Sequence, residues 1–340
     1  MTFCSRWMCN PAGWQLNRAR RSSSTPSARR SVEEIGGAKI VTAITVTHRI
    51  AGIVFRTESN AWLPLLQEEP FEQFRIEDTE PDVHQRIQEI DLDALTSSAP
   101  ATDRLESSPL LRSPAVRARL QASLDQCEQI EVQIDRAQMT LRNFSRCELD
   151  FFYTKELGMS GPIRRVNTAV FRVATNFKKM FSTFLPSFSA ILVHSSGVIR
   201  HDRAALFLAP SSGGKTTVVK RSTGDLILND DQIVLRQEEG VVVAHGTPLG
   251  GITSGPCRAR LGGLFLLEQA EQFELSPLAP ADVLSHIWGE SPNYVFFLPK
   301  ELRVRAFLIL SEACYQAPAY RLRFPRDHVD WDAIDAAMAR

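Results

Sequence analysis

One stretch constrains this chain more than any other: Ala204 to Leu235, AALFLAPSSGGKTTVVKRSTGDLILNDDQIVL. It opens on an apolar run, Ala204 to Leu208, short enough for a buried strand. A loop follows, Ala209-Pro210-Ser211-Ser212-Gly213-Gly214-Lys215-Thr216, and then a helix-compatible segment through Arg221. Strand, glycine-containing loop and helix in that order are the context of a phosphate-binding P-loop. The loop N–H groups and the helix N-terminus offer an anion the positive ends of backbone dipoles. Gly213 and Gly214 permit close backbone approach and unusual dihedrals. Lys215 would reach the β- and γ-phosphates and the Thr216 hydroxyl would ligate Mg²⁺, with Ser212 and Thr217 in support. The pattern is relaxed at its first position, where Ala209 stands in place of Gly. The duller alternative is an ordinary Gly-Lys loop; the flanking strand and helix favour the phosphate site.

Downstream, at the end of a second apolar run, Leu226-Ile227-Leu228, come Asp230 and Asp231. A carboxylate at a strand end beside a P-loop can hold Mg²⁺ directly or through water. A second can take the proton of an attacking hydroxyl or water. We expect Asp231 on the metal and Asp230 as the base. The segment Asn229-Asp230-Asp231-Gln232 between LIL and IVL also suits a hairpin turn, and the two readings are compatible.

The run HSSGVIRHDRAALFLAPSSGGKTT followed by LILNDDQIVL resembles the C-terminal kinase domain of HPr serine kinase/phosphorylase. More distantly it resembles the nucleotide site of ATP-dependent phosphoenolpyruvate carboxykinase. That family carries a His on a strand shortly before the P-loop and paired aspartates after it, matched here by His194 and Asp230/Asp231. Its later glutamate-containing signature is not visible; the region reads AHGTPLGG, Ala244 to Gly251. The resemblance covers Phe188 to the C-terminus. It implies an α/β mixed-sheet P-loop kinase domain, with ATP and Mg²⁺ as cofactors and a hydroxyl acceptor on a protein, peptide or small molecule. It also implies His194 near the γ-phosphate as electrophile or proton carrier. A backbone-bonded strand-end His is the alternative from chemistry alone. The family forms hexamers, so a homo-oligomer is the assembly to test.

Composition excludes other classes. Formal net charge is +0, so no bulk field recommends nucleic acid or a membrane surface as partner. Hydrophobic residues are 44% and charged residues 23%, ordinary for a globular protein. The 6 cysteines show no CxxC and no paired metal spacing, which reads as reduced thiols in a cytoplasmic protein. No apolar stretch reaches the length of a membrane helix.

Three regions are expected: a disordered basic extension (1–35), a mainly β N-terminal region (36–157) and the P-loop domain (158–340). Arg6, Arg18, Arg20, Arg21, Arg29 and Arg30 all precede the first acidic residue, Glu33. That composition also fits a transit peptide or a start site placed too early. Alternation predicts strands over Lys39–Phe55 and Ile130–Tyr153, and His48 within the first reads as structural. Phe71 and Phe74 are expected to pack on the preceding strands. Ser97–Pro114 reads as a linker and Ala115–Gln126 as a helix. An amphipathic helix is predicted over Val166–Phe184, then a strand over Phe188–His194 and a hairpin through QIVLR and VVVAH. Gly246–Gly255 is expected to form a loop over the substrate. Helices follow over Pro280–Trp288 and Lys300–Tyr315, the second apolar at Val304, Phe307, Leu308 and Leu310. A strand over Tyr320–Phe324 and a helix over Asp327–Met338 close an α/β sandwich.

These features point to a Mg²⁺- and ATP-dependent kinase. A nucleotide-binding scaffold or sensor without transferase activity is the alternative, and a P-loop fold serving only protein interaction is a third.

Overall fold

The computed structural model describes residues 29–35, 38–60, 66, 68–90, 110, 113–126, 130–134, 138–154, 179–290, 295, 298–325 and 327–339. The predicted helix over Val166–Phe184 and the linker over Ser97–Pro114 lie mostly outside them, as does the extension up to residue 28. The chain divides into two compact units, Met1–Arg49 with Ile53–Met180, and Ile50–Gly52 with Phe181–Arg340.

The first unit contains β1 (Arg29–Ile35), β2 (Ala38–Ile50), β3 (Ile53–Ser59), β4 (Val83–Ile90), α1 (Pro114–Gln126), β5 (Ile130–Ile134), β6 (Gln138–Asn143) and β7 (Glu148–Thr154). The strands form one mixed 7-stranded sheet in the order β1-β2-β3-β4-β7-β6-β5. β4 runs parallel to both β3 and β7, and β6 runs antiparallel to β7 and β5. β1 falls within the 1–35 stretch expected to be disordered. It pairs antiparallel with β2 from Arg29↔Thr45 to Ile35↔Ala38. The 13-residue β2 offers a long row of backbone donors and acceptors, and pairing satisfies them whatever the side-chain composition.

α1 is fastened by charge. Arg119 donates to Asp150 at 2.9 Å and Glu148 at 2.6 Å on β7, and Arg86 on β4 reaches the same two carboxylates. Phe71 and Phe74 are buried in a 3-10 turn. His48 is structural, as expected: its ring is buried, packs edge-on against Phe71 and donates from Nε2 to the Leu66 carbonyl at 3.1 Å.

The second unit contains β8 (Ala190–Val193), β9 (Ser195–Arg200), β10 (Arg203–Leu208), α2 (Lys215–Arg221), β11 (Leu226–Asn229), β12 (Ile233–Glu238) and β13 (Val241–His245). Then come β14 (Arg258–Gln269), β15 (Glu274–Pro277), α3 (Pro280–Gly289), α4 (Lys300–Gln316), β16 (Ala319–Phe324) and α5 (Trp331–Met338). The sheet order is β11-β9-β10-β14-β13-β12-β8, with β16 on β14 and β15 on β16. β10, β14 and β16 run parallel and the remaining pairs are antiparallel, so the sheet is mixed.

β10 is buried on both faces, the reason it reads as an unbroken apolar run. Ala204, Leu206 and Leu208 face a core completed by Val283 and Ile287 of α3 and by α4. Ala205, Phe207 and the following Ala209 face another, with Val218 and Val219 of α2 and Ile334, Ala337 and Met338 of α5. Phe207 stacks on Phe265 at 5.6 Å and meets Trp331 edge-on at 6.0 Å.

The structure revises several expectations from the sequence. Phe188 belongs to a 3-10 turn, Leu185–Phe188, and Ser195–Gly197 opens a strand of its own. On α4 the buried face is Ala306, Ile309, Leu310, Ala313 and Cys314, whereas Val304, Phe307 and Leu308 are exposed. The β12–β13 hairpin turns as expected at Glu239-Gly240, both at positive φ.

Burial pushes the His48 imidazole down to about 4, from an ordinary 6.5. The folded ring is therefore neutral at pH values where the unfolded chain already binds a proton. Its contribution is fully present above pH 6.5 and is lost as pH falls towards 4, by roughly 3 kcal/mol. Hydrogen exchange at β2 amides under urea should show this loss between pH 7 and about pH 4.5. His48→Gln should flatten the slope relative to wild type.

Candidate functional site

Strand directions bring the sequence motifs together. β9 runs antiparallel to both β10 and β11, which lie on its two sides. The C-terminal end of β10 pairs at Leu208↔Ser195 and that of β11 at Asn229↔Gly197. Both strands therefore end beside the start of β9, and the segments leaving them share one end of the sheet. After β10 comes the loop 209–214; after β11 comes Asp230-Asp231. β12 pairs with β8 through Ile233↔Val193, which carries His194 to the same place. Asn229–Gln232 is thus no hairpin turn, because β11 pairs with β9 while β12 pairs with β8 and β13.

The loop is shaped by missing side chains. Ser212 (φ 70) and Gly214 (φ 102) both occupy left-handed backbone, and a Cβ on Gly214 would lie 2.9 Å from Phe324 Cζ. A Cβ on Gly213 would lie 2.6 Å from the Cβ of Ala209. Ala209 therefore fits where the motif has Gly, because Gly213 yields the volume. Ser196 on β9 donates to the Lys215 carbonyl at 3.2 Å and ties α2 to the sheet.

Lys215 is buried, and its ammonium donates to the carbonyls of Ala209 at 2.6 Å and Pro210 at 3.1 Å. Burial lowers its pKa, and the charges of Asp231, Glu290 and Asp230 oppose that shift. Thr216 Oγ1 donates to Asp230 Oδ2 at 3.4 Å. Asp230 Oδ1 accepts the N–H groups of Gly251 at 2.8 Å and Ile252 at 3.0 Å. Asp231 Oδ1 lies 3.3 Å from His194 Nε2, and its Oδ2 accepts from the side-chain Nε2 of Gln232 at 3.3 Å. Lys215, Thr216, Asp230, Asp231 and His194 thus come together, with Ser212, Gly213 and Gly214 in the adjoining loop. Thr217 lies on the first turn of α2, beside this group in sequence.

Sequence reasoning missed five residues around the site. Asn229, fully buried, caps the turn at the acidic pair. Gly251 and Ile252 supply the amides on Asp230, although their segment was expected to lie above a substrate. At the C-terminal end of α3, Glu290 acts electrostatically on Lys215 and His286. His286 is held below the ordinary imidazole range by burial first, then by the charges of Lys215 and His194. Only the dipeptide Gly250-Gly251 gave a hint in the sequence, since paired glycines signal a close backbone approach.

Among the described residues no group of three or more His, Cys, Asp or Glu side chains forms a metal cage. A Mg²⁺ site made of one hydroxyl, one carboxylate and phosphate oxygens needs none. Among the described residues no helix is long and apolar enough to cross a membrane.

No family model matches the chain, and a search of curated proteins finds no match. Among solved structures it is similar to the HPr(Ser) kinase/phosphatase from Coxiella burnetii, at 11% sequence identity and a TM-score of 0.23. The match covers 44% of this chain and 86% of that one. A likeness of that size is distant, and the site stands on its own geometry.

Gly250 and Gly251 separate two degrees of crowding at the acidic pair. A Cβ on Gly250 would lie 2.1 Å from Asn229 Oδ1 and 2.7 Å from Asp230 Oδ1. On Gly251 it would lie 3.8 Å from both Asp230 oxygens, an ordinary contact. Gly250→Ala should therefore cost about 1–3 kcal/mol, while Gly251→Ala stays within about 0.5 kcal/mol. Urea titration of both variants checks the contrast, and equal stability would refute the crowding at residue 250.

Proposed function

We propose that the second unit is a Mg²⁺- and ATP-dependent phosphotransferase acting on a hydroxyl acceptor of a protein, peptide or small molecule. One observation carries this reading: the glycine loop with Lys215 and Thr216 meets two carboxylates and an imidazole at one end of the sheet. Gly213, Gly214 and Lys215 would hold the triphosphate, whose oxygens would replace the Ala209 and Pro210 carbonyls as acceptors for Lys215. Charge-assisted bonds to phosphate are stronger than those to neutral carbonyls, which favours the exchange.

The distances support a division of labour opposite to the one expected from sequence. Thr216 Oγ1 and Asp230 Oδ2 are neighbours, and together they suit Mg²⁺ held between protein and phosphate. Bound there, Mg²⁺ would neutralise charge on the phosphates. Asp230 is also fixed by two backbone N–H groups, which suits a ligand better than a proton carrier. Asp231 is left as the base in this reading, and His194, 3.3 Å from one of its oxygens, can carry the collected proton onward. The acceptor oxygen bonds to the γ-phosphorus as the bond from that phosphorus to the leaving ADP oxygen breaks. The hydroxyl proton passes to Asp231. A neutral hydroxyl is a weak nucleophile, so the placed carboxylate is the chemistry the transfer needs.

Thermal unfolding with and without Mg-ATP tests the reading. At nucleotide a hundredfold above Kd, wild type should gain about 2.7 kcal/mol, and Lys215→Ala should lose most of that gain. Asp231→Asn should keep the gain while transfer of the γ-phosphoryl group, to water or to serine peptides, falls about a hundredfold or more. Stabilisation without transfer in wild type would instead support a nucleotide-binding scaffold. No stabilisation at millimolar nucleotide would overturn both.

A further inference from the structure

We infer that Asn229 is the positioning residue of the acidic pair, clamping the Asp230-Asp231 turn to the loop 246–252 so that loop amides orient Asp230. What the pair is positioned for rests on the kinase reading; the clamp itself rests on contacts in the fold.

The Asn229 side chain is fully buried and uses both ends of its amide. Oδ1 accepts the N–H groups of Asp231 and Gln232, each at 2.8 Å, and so fixes the backbone that carries the second carboxylate. Nδ2 donates to the Thr247 carbonyl at 2.8 Å. Thr247 in turn donates from Oγ1 to the Gln232 carbonyl at 2.7 Å and accepts the Leu249 N–H at 3.2 Å. From that anchor the loop passes over Asn229 at Gly250 and delivers the Gly251 and Ile252 amides to Asp230. It then runs along β11, with Thr253 Oγ1 donating to the Leu228 carbonyl and the Ser254 N–H to the Ile227 carbonyl, both at 2.8 Å. The segment is a wall bonded to β11 along its length, not a cover lying loose above the site.

The residue type follows from these demands. A buried side chain here must accept two N–H groups and donate to a carbonyl at once, which an amide does. Aspartate would accept the two amides but set an oxygen against the Thr247 carbonyl. Serine would keep a weaker version of the turn and lose the reach to Thr247. Alanine would leave two donors and an acceptor without partners.

Asn229→Ser and Asn229→Ala in the full chain test the inference by two measurements on each protein. The first is hydrogen exchange at Gly251 and Ile252, whose amides bond Asp230 and not Asn229. We expect about tenfold faster exchange in both variants, the scale of one lost net hydrogen bond. The second is turnover against nucleotide affinity. We expect γ-phosphoryl transfer to fall at least about tenfold while the Kd for ADP without Mg²⁺, held by Lys215 and the glycine loop, stays within about twofold, a split that general loosening of the fold would not produce. Unchanged exchange at Gly251 and Ile252 would overturn the clamp. Freed amides with unchanged turnover would overturn the positioning role. If wild type neither binds nor turns over nucleotide, the kinase reading falls, and exchange at those two amides alone decides the clamp. Asn229→Ser supplies the answer if Asn229→Ala does not fold.

Discussion

The second unit depends on the burial of β10 from both sides. A strand with one buried face can tilt or slip until its solvent side limits it. With Ala204, Leu206 and Leu208 in one core and Ala205 and Phe207 in another, neither movement is open to β10. Its C-terminal end is therefore a fixed point, and the loop from Ala209 starts from a known direction. β9 carries that fixity to β11 by pairing with both strands in the antiparallel sense. Two segments are thus set side by side by hydrogen-bond ladders, and the Thr216–Asp230 bond joins them.

At this end of the sheet one cation, Lys215, faces three carboxylates in a partly buried setting. Lys215 meets the fields of Asp231, Glu290 and Asp230 but forms its direct bonds to two loop carbonyls. A buried cation satisfied by neutral acceptors is not locked into a permanent ion pair. It can exchange those acceptors for a stronger one. Asp230, by contrast, is held by two backbone amides and cannot swing away. One partner is adaptable and the other rigid, and under the proposed function the first would take up the phosphates while the second keeps its place.

Much of this was legible in the sequence, because local rules governed it. The apolar run of β10, the glycine loop, the β12–β13 hairpin and the course of α4 all follow from patterns a few residues wide. What escaped was decided at long range. Asn229–Gln232 has the composition of a hairpin turn, but β11 finds its partner in β9 and β12 in β8 and β13, so the turn joins strands that never pair. On α4, of the apolar residues Val304, Phe307, Leu308 and Leu310, only Leu310 lies on the buried face, which it shares with Ala306, Ile309, Ala313 and Cys314. The strand Arg29–Ile35 escaped because composition says little about a segment whose partner is a long strand edge. The resemblance pointed to His194 as a candidate, but its contact with Asp231 is set by the pairing of β8 with β12, which spacing along the chain does not reveal.

Departures from a motif can be weighed by volume rather than by letter. Ala209 breaks the P-loop pattern at its first position, yet its Cβ lies where a Cβ on Gly213 would have to go. With Ala at 209, position 213 has no room for a side chain, and the Pro210 carbonyl at 3.1 Å crowds it further. Residues 229 and 250 are coupled in the same way, since Asn229 needs the space that a side chain on Gly250 would take. Such a pair looks like two unrelated choices along the chain, an asparagine before the aspartates and a glycine far beyond them. In the fold they are a single steric condition on where the carboxylates point.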